Sequence, residues 1–272
     1  MYVKTKSADK IKQSVKEEYT KISEKSGATG CCGPAAGSTS NSIDYTIFSD
    51  DYSDLEGYNP DADLNLGCGL PTEFAKIKLG DIVVDLGSGA GNDAFVARKA
   101  TGESGRVIGL DMTEAMIQQA RMNAAKLDYE NVDFVLGDIE EMPLEDGIAD
   151  VVVSNCVLNL VPDKEKAFAE TQRILKSGGH FSISDVVIAG DLPISIRESA
   201  EMYAGCVAGA IEKNDYLKIV KNAGFGNITV QKMKEIQLPD EMLLNYITPE
   251  ELKDFRSSNT GIYSITVYAE KK

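Results

Sequence analysis

The 272-residue chain has no tryptophan, a single histidine and no apolar run long enough to span a bilayer. Basic residues are also scarce, since 28 lysines and arginines stand against 43 aspartates and glutamates, for a formal charge of −15. A surface of this sign argues against nucleic acid and against anionic membranes as partners. The N-terminal residues lack the apolar stretch of a secretory signal, and the five cysteines lack the regular spacing of a disulfide framework. We therefore expect a cytoplasmic protein whose thiols are reduced.

Short apolar segments alternate with helical patterns from Gly80 onward, which indicates βαβ units and a mostly parallel sheet. The predicted strands are DIVVDLG, RVIGLD, VDFVLGD, ADVVVSN, GGHFSISDVV, NITVQKM and IYSITVYAE. The predicted helices cover residues 7–23, 92–99, 113–127, 163–175, 194–204 and 213–223. The last two strands are expected to close one edge of the sheet. The fold class is therefore α/β.

A glycine-rich turn, DLGSGAG, joins the first predicted strand to the helix after it. Its glycines allow a tight turn and a close approach of a ligand to the helix N-terminus. Asp111 ends the second strand 20 residues after Gly91, where a carboxylate can accept hydrogen bonds from both hydroxyls of a ribose. Asp138 ends the third strand, in position to meet an adenine edge. The glycines alone would be equally typical of an NAD enzyme or of a plain strand–helix turn.

Together, the acid–x–Gly–x–Gly–x–Gly run, Asp111 and Asp138 resemble the S-adenosylmethionine-dependent methyltransferases of the Rossmann-like class over about residues 76–187. The resemblance implies a Rossmann-like sheet, mostly parallel with an antiparallel edge, and S-adenosylmethionine as the cofactor. It assigns Asp85 and the glycine loop to the methionine portion, Asp111 to the ribose and Asp138 to the adenine. The predicted cofactor contacts are Asp85, Gly87, Ser88, Gly89, Gly91, Asp111, Met112, Asp138, Ile139 and Asn155.

Three cysteines, Cys68, Cys156 and Cys206, flank elements of this predicted core. Cys156 follows the fourth strand, and ligands of open α/β sheets bind beyond the carboxyl ends of the strands. Cys206 is predicted on a helix after the fifth strand, and Cys68 in a segment that covers the same rim. A lone cysteine in apolar surroundings is more often a small core residue than a ligand. Three at one rim favour a thiol site.

The stretches LGCGLPTEFA, SNCVLNLVPDK and EMYAGCVAGA are similar in order and spacing to the arsenite methyltransferases, across about residues 10–226. The resemblance implies that Cys68, Cys156 and Cys206 hold trivalent arsenic, or its thiol complexes, as the substrate. It also implies that Cys31 or Cys32, in the Gly/Ser-rich arm, assists capture or forms a transient disulfide. A reducing thiol system such as glutathione or thioredoxin is the implied partner.

The chemistry agrees with this resemblance, because trivalent arsenic is soft and prefers sulfur ligands, as other soft ions do. Its lone pair can attack an activated methyl group, so no general base is required, and we interpret His180 as structural. Asp150, before an apolar strand, is interpreted in the same way.

We divide the chain into an N-terminal helix with a mobile cysteine-bearing arm (1–75), an S-adenosylmethionine-binding core (76–187) and a substrate-covering region that completes the sheet (188–272). Two other interpretations stay open. One is a methyltransferase for a small organic carbon or oxygen acceptor, in which the cysteines are structural. The other is a metalloid-binding protein without turnover.

Overall fold

The computed structural model describes residues 8–27, 50–199, 206–258 and 260–272. Seven strands of these residues form one sheet in the order β3-β2-β1-β4-β5-β7-β6. They are β1 (Ile82–Leu86), β2 (Arg106–Asp111), β3 (Val132–Leu136), β4 (Ala149–Asn155), β5 (Leu175–Ala189), β6 (Phe225–Glu235) and β7 (Gly261–Lys271). Strands β1 to β5 pair in parallel, whereas β7 is antiparallel to both β5 and β6. The predicted fold class, a mostly parallel Rossmann-like sheet with an antiparallel edge, is confirmed.

Helices cover both faces of this sheet. They are α1 (Ala8–Gly27), α2 (Pro71–Phe74), α3 (Asn92–Thr101), α4 (Glu114–Lys126), α5 (Lys164–Ile174), α6 (Ile194–Glu198), α7 (Lys213–Asn222), α8 (Asp240–Leu243) and α9 (Pro249–Ser257). The apolar sides of α3 and α4 bury one face of β1 and β2, while α5 and α7 pack on the opposite face. Among the helices in these ranges, none is both long and apolar enough to cross a membrane.

The central strands are buried on both sides, which is why they appear in the sequence as nearly continuous apolar runs rather than as alternating ones. Val83 and Val84 of β1 are neighbours that point to opposite faces, and both are fully buried. Their side chains belong to separate clusters, one on each face of the sheet. This two-sided burial is what an interior strand requires, and β1 pairs with β2 on one side and β4 on the other.

The strand order reverses beside β1, because the chain runs from β1 outward to β3 and then returns to place β4 on the other side. At such a switch point the loops after adjacent strands diverge and leave a crevice at their carboxyl ends. The glycine loop follows β1 and Cys156 follows β4, so both lie at this crevice.

Several predicted boundaries differ from the structure, and two of the differences have a clear cause in the backbone. Helix α6 ends at Glu198, because the backbone of Ser199 is extended, with ψ 126°, so the predicted helix over 194–204 is too long in its described part. Strand β5 begins at Leu175, directly after α5, because Leu175 is also extended, with ψ 142°. The prediction had placed Leu175 in the helix and begun the strand at Gly178.

Candidate functional site

The carboxyl ends of β1, β2 and β4 open onto one cavity. Nine of the ten cofactor contacts predicted from the sequence line it: Asp85, Gly87, Ser88, Gly89, Asp111, Met112, Asp138, Ile139 and Asn155. The tenth, Gly91, is instead the N-cap of α3, with φ +103°. It therefore sets where the helix begins.

The glycine loop needs left-handed backbone angles at two cavity-lining positions, Gly87 (φ +70°) and Gly89 (φ +52°). A Cβ at Gly87 would overlap the side chain of Val157, which packs against the loop. At Gly89, by contrast, a Cβ would meet no heavy atom of the described residues within 4 Å. The loop is thus packed against the protein at Gly87 and open toward the cavity at Gly89.

Three of the five aspartates that line the cavity lie at the end of β1, at the end of β2 and in the first turn of α3. Asp85 is 2% exposed, and its Oδ2 has no hydrogen-bond partner among the residues described. Asp111 is 8% exposed and accepts hydrogen bonds from the backbone N–H groups of Gly89 (3.0 Å) and Thr113 (2.8 Å). Asp93 lies in the first turn of α3. So many carboxylates in one concave site favour a cationic ligand.

Removal from water raises the pKa of all three carboxyl groups. The pKa of Asp85 rises well above its usual range, because burial is reinforced by the neighbouring charges of Asp93 and Asp111. For Asp93, burial raises the pKa to about 6, although hydrogen bonds from Tyr52 and Asn155 oppose the shift. Burial also raises the pKa of Asp111, against the two backbone N–H donors. A bound cation would reverse these shifts by stabilising the ionised forms.

Helix α1 closes the cavity at the end where the sequence places adenine. Lys12, Val15 and Tyr19 of this helix line the cavity. Lys12 Nζ lies 2.5 Å from Asp138 Oδ2 and 2.5 Å from Glu140 Oε2. Burial alone would lower the pKa of Lys12, but these two carboxylates outweigh it and raise that pKa. Asp138 is therefore ion-paired as well as exposed to the cavity.

The three cysteines that the sequence singled out come together beside this cavity. Their exposed fractions are 0% for Cys68, 4% for Cys156 and 2% for Cys206, and all three are free thiols. The three side chains belong to one buried cluster, and those of Cys68 and Cys206 both lie close enough to perturb the Cys156 thiol. Cys206 Sγ also donates to the carbonyl oxygen of Cys156 at 2.7 Å. Within the described ranges, no group of three or more His, Cys, Asp or Glu side chains is already arranged to hold a metal ion.

Burial makes two of these thiols hard to ionise. It raises the pKa of Cys68, and it raises the pKa of Cys156 well above the usual thiol range, with both neighbouring cysteines adding to the shift. Cys68 and Cys156 are thus neutral S–H groups. Cys31 and Cys32 lie outside the described residues, so their predicted role stays a prediction.

Two of the three cysteines have an unusual backbone. Cys156 has φ +61° and Cys206 has φ +64°, in the left-handed region that side-chain-bearing residues seldom adopt. Such a conformation costs about 1–2 kcal/mol per residue. The expectation that Cys206 is helical is wrong, because its own angles belong to a turn.

The side chain of Asn155 connects the turn that bears Cys68 to the strand end that bears Cys156. Its Oδ1 accepts a hydrogen bond from the backbone N–H of Cys68 at 2.9 Å. Its Nδ2 lies within hydrogen-bond distance of Tyr52 Oη (2.5 Å), of the Gly69 carbonyl oxygen (2.8 Å) and of Asp93 Oδ2 (3.2 Å). Asn155 therefore contacts both the thiol cluster and the carboxylates of the cavity.

The two residues interpreted as structural make contacts at the other end of the sheet. His180 Nε2 lies 2.6 Å from the carbonyl oxygen of Ala75. Asp150 Oδ2 accepts from the backbone N–H of Ile82 (2.9 Å) and from Lys176 Nζ (2.6 Å). Neither residue lines the cavity.

Residues 77–224 match a family model described as a methyltransferase domain. The chain belongs to this family. It is 43% identical over 211 residues to an arsenite methyltransferase from Halobacterium salinarum, covering 77% of this chain and 53% of that one. The crystal structure of an arsenic (III) S-adenosylmethionine methyltransferase from Chlamydomonas reinhardtii superposes with a TM-score of 0.64 and 37% identity, covering 74% of this chain and 66% of that one.

A relative with another acceptor matches less closely. A demethylmenaquinone methyltransferase from Staphylococcus aureus is 30% identical over 177 residues, covering 65% of this chain and 66% of that one. The chain spans about half the length of the curated arsenite methyltransferase from Halobacterium that it matches. The resemblance stated from the sequence is thus confirmed, and so is S-adenosylmethionine as the cofactor of this methyltransferase domain.

Sequence reasoning missed many of the residues that line the methyltransferase's cavity, and three of them bear directly on its charge and hydrogen bonding: Lys12, Tyr52 and Asp93. Lys12 lies on a predicted amphipathic helix, but nothing in the periodicity shows that this helix covers the cavity. Tyr52 precedes the first strand by 30 residues, in a region without a motif. Asp93, two residues after the last glycine of the loop, had a signal, because an acid in the first turn of a helix that begins at a ligand site lies close to that ligand.

Proposed function

We propose that this methyltransferase transfers the methyl group of S-adenosylmethionine to trivalent arsenic held by Cys68, Cys156 and Cys206. The observation that carries the proposal is that three buried thiols meet at the rim of the cofactor cavity, with Cys156 lining the cavity itself. The names of the relatives from Halobacterium and Chlamydomonas support arsenic as the acceptor.

The cavity suits its cofactor by charge and by shape. S-adenosylmethionine supplies a methyl group on a positively charged sulfur, and it also has an ammonium group. The carboxylates of Asp85, Asp93 and Asp111 offset these charges. Two further buried polar atoms, Ser88 Oγ and Asn92 Oδ1, have no partner among the described residues, and both residues line the cavity. Unsatisfied buried polar atoms are costly, so their presence favours a polar ligand at this place.

We assign the cofactor's parts by position along the strands. Asp85, Gly87, Ser88 and Gly89 would hold the methionine portion at the end of β1. Asp111 and Met112, after β2, would hold the ribose, and Asp138 and Ile139, after β3, the adenine. Gly91 contributes indirectly by starting α3 at the loop.

The neutral thiols of Cys68 and Cys156 favour capture of arsenic by ligand exchange. Each cysteine forms an As–S bond while an As–O bond of arsenite breaks, and the thiol proton leaves with the hydroxide as water. For a glutathione complex the proton passes to the departing glutathione sulfur instead. Neither route leaves a thiolate uncompensated in the buried site, where an isolated charge would be expensive.

The three sulfurs then hold arsenic beside the cavity, with its lone pair free to accept the methyl group. The protein contributes alignment, which is worth up to about 7–11 kcal/mol in favourable cases. Methyl transfer oxidises arsenic by two electrons, so another round requires a thiol reductant, and we propose a glutathione or thioredoxin system as that partner. Cys31 and Cys32 are proposed to deliver arsenic from the arm, in a process of arsenic detoxification.

Radiolabelled S-adenosylmethionine tests the proposal when it is incubated with the full chain and either arsenite or a panel of small carbon and oxygen acceptors. We expect the label in methylated arsenic, and we expect Cys156→Ser to abolish that product while cofactor binding persists. Label in an organic acceptor would favour the organic methyltransferase. Binding of arsenite without any labelled product would favour a metalloid-binding protein.

A further inference from the structure

The side-chain amide of Asn155 makes hydrogen bonds with the turn that bears Cys68. We call this turn, residues 67–69, the Cys68 turn. Oδ1 takes the Cys68 N–H, and the nearest polar atoms around Nδ2 include the Gly69 carbonyl oxygen. One amide thus bonds to the backbone on both sides of the Cys68 side chain. Since Asn155 is also the residue before Cys156, the positions of two thiols depend on one residue.

The packing around the Cys68 turn leaves no room for a side chain at either flanking glycine. A Cβ at Gly67 would lie 2.5 Å from Asn155 Nδ2, and a Cβ at Gly69 would lie 2.6 Å from Ser184 Oγ. The glycines on both sides of Cys68 are therefore required because the backbone lies directly on the Asn155 amide and on β5. The backbone of Cys156 is fixed to the same strand, since its N–H donates to the Ser184 carbonyl oxygen at 2.8 Å.

Tyr52 holds the Asn155 amide from the other side. Its hydroxyl lies 2.9 and 3.0 Å from the two carboxylate oxygens of Asp93 and donates to that group, so it is free to accept from Asn155 Nδ2. Tyr52 is 5% exposed, and its ring packs in a small cluster with Leu70, next to the Cys68 turn. The contacts run from Asp93 through Tyr52 and Asn155 to Cys68.

We propose that Asn155, held by Tyr52, is a positioning residue that fixes the Cys68 turn against Cys156 and so sets the spacing of the sulfurs in the arsenic site. This inference rests on the proposed function. It also explains why two polar side chains, Tyr52 and Asn155, lie between the cofactor cavity and the thiols. Asn155 touches no sulfur through its own side chain in the contacts above; it acts through the backbone of Cys68.

The test compares Asn155→Ala, Tyr52→Phe and a matched control, Asn131→Ala, in the full chain. Asn131 also has a fully used amide, because it donates to the Gly102 and Gly105 carbonyl oxygens (3.0 and 2.8 Å) and accepts from Arg98 (3.0 Å). It lies at the opposite end of the sheet, beside the start of β3. Arsenic X-ray absorption counts the sulfur ligands of bound arsenite, and calorimetry gives the affinities for arsenite and for S-adenosylhomocysteine.

We expect the wild-type chain to hold arsenic through three sulfurs and Asn155→Ala to hold it through two. Asn155→Ala leaves the Cys68 N–H unpaired and removes the amide donor from the Gly69 carbonyl oxygen, which keeps the longer contact with Tyr52 Oη (3.2 Å). This should weaken arsenite binding roughly tenfold or more, while S-adenosylhomocysteine affinity changes by less than about threefold. Tyr52→Phe removes one hydroxyl and should weaken arsenite binding by about two- to tenfold in the same direction. Asn131→Ala should leave both affinities within about threefold of wild type.

Three sulfurs and an unchanged arsenite affinity in Asn155→Ala would overturn the inference while the proposed function stands. An equal or larger loss of S-adenosylhomocysteine affinity would also overturn it, because Asn155 would then be a cofactor contact. If the wild-type chain binds no arsenic through sulfur, the proposed function fails and the inference with it. Should Asn155→Ala not fold, as judged by its melting, Tyr52→Phe decides by the same criteria.

Discussion

The difference between Gly87 and Gly89 gives the sharpest test of where the cofactor lies. Both glycines have left-handed backbone angles, and both would receive the same methyl group in an alanine variant. At Gly87 that methyl group would collide with Val157, whereas at Gly89 it would enter open space on the cavity side. One substitution should therefore damage the fold, and the other should damage the ligand site.

The magnitudes follow from these surroundings. An alanine in the left-handed region costs about 1–2 kcal/mol, and the lower entropy of the unfolded chain returns about 0.4–1 kcal/mol. Gly89→Ala should then destabilise the protein by about 1 kcal/mol. Gly87→Ala adds an overpacking cost of about 1–3 kcal/mol, for a total of about 2–4 kcal/mol.

Urea denaturation and calorimetry with S-adenosylhomocysteine measure the two effects separately. We expect Gly89→Ala to unfold near the wild-type midpoint but to bind the ligand at least about tenfold more weakly, since the methyl group occupies ligand space. If Gly89→Ala binds S-adenosylhomocysteine as the wild type does, the open side of the loop is not the cofactor site. If it destabilises the fold as much as Gly87→Ala, the difference in packing has been misjudged.

Three further outcomes are expected. Asp111→Ala should weaken S-adenosylmethionine binding tenfold or more, because hydrogen bonds to a charged acceptor contribute about 1.5–3 kcal/mol each, and unchanged calorimetry would remove Asp111 from the site. Cys156→Ser and Cys206→Ser should each cut methyl transfer to arsenite by at least about 100-fold with cofactor affinity retained, and near-normal transfer by either would end the thiol model. Because burial raises the pKa of Asp93 to about 6, the cationic cofactor should favour the ionised form and bind more tightly as pH rises from 5 to 7. Calorimetry across that range measures how affinity changes with pH. The change should be smaller for S-adenosylhomocysteine, which lacks the sulfonium charge, and smaller for the Asp93→Asn variant. Equal changes would contradict the role assigned to Asp93.

The sequence predicted the sheet well because its signals are local. The apolar runs around Val84 and Val152 have the length and the β-branched content of buried parallel strands, and both lie in such strands. The glycine loop was found for the same reason, since the left-handed turn needs its glycines whatever the rest of the chain does. The regular alternation of strands and helices also predicted that the residues after β2 and β3 would lie at the same edge of the sheet as the glycine loop, and they line the same cavity.

Contacts between distant segments were not visible in the sequence. Lys12 lies 126 residues from Asp138, and Tyr52 lies 103 residues from Asn155. No periodicity in the sequence relates such distant positions. The placement of α1 over the cavity and the hydrogen bonding of the Cys68 turn could therefore be seen only in the structure. The backbone of Cys206 was missed because a left-handed residue is expected to be glycine or asparagine, and cysteine gives no such signal.

The left-handed backbone angles of Cys156 and Cys206 affect how easily these cysteines could be lost when the protein is engineered or evolves. Replacing either cysteine by glycine would relieve about 1–2 kcal/mol of backbone strain, but it would lose a small buried side chain and about 0.4–1 kcal/mol through the more flexible unfolded chain. These effects oppose each other, so the folded state has little thermodynamic reason to keep these thiols. A library screened for heat resistance alone would be free to discard them. Any selection for a more heat-resistant variant should therefore be coupled, from its first round, to a screen for the proposed methylation of arsenic.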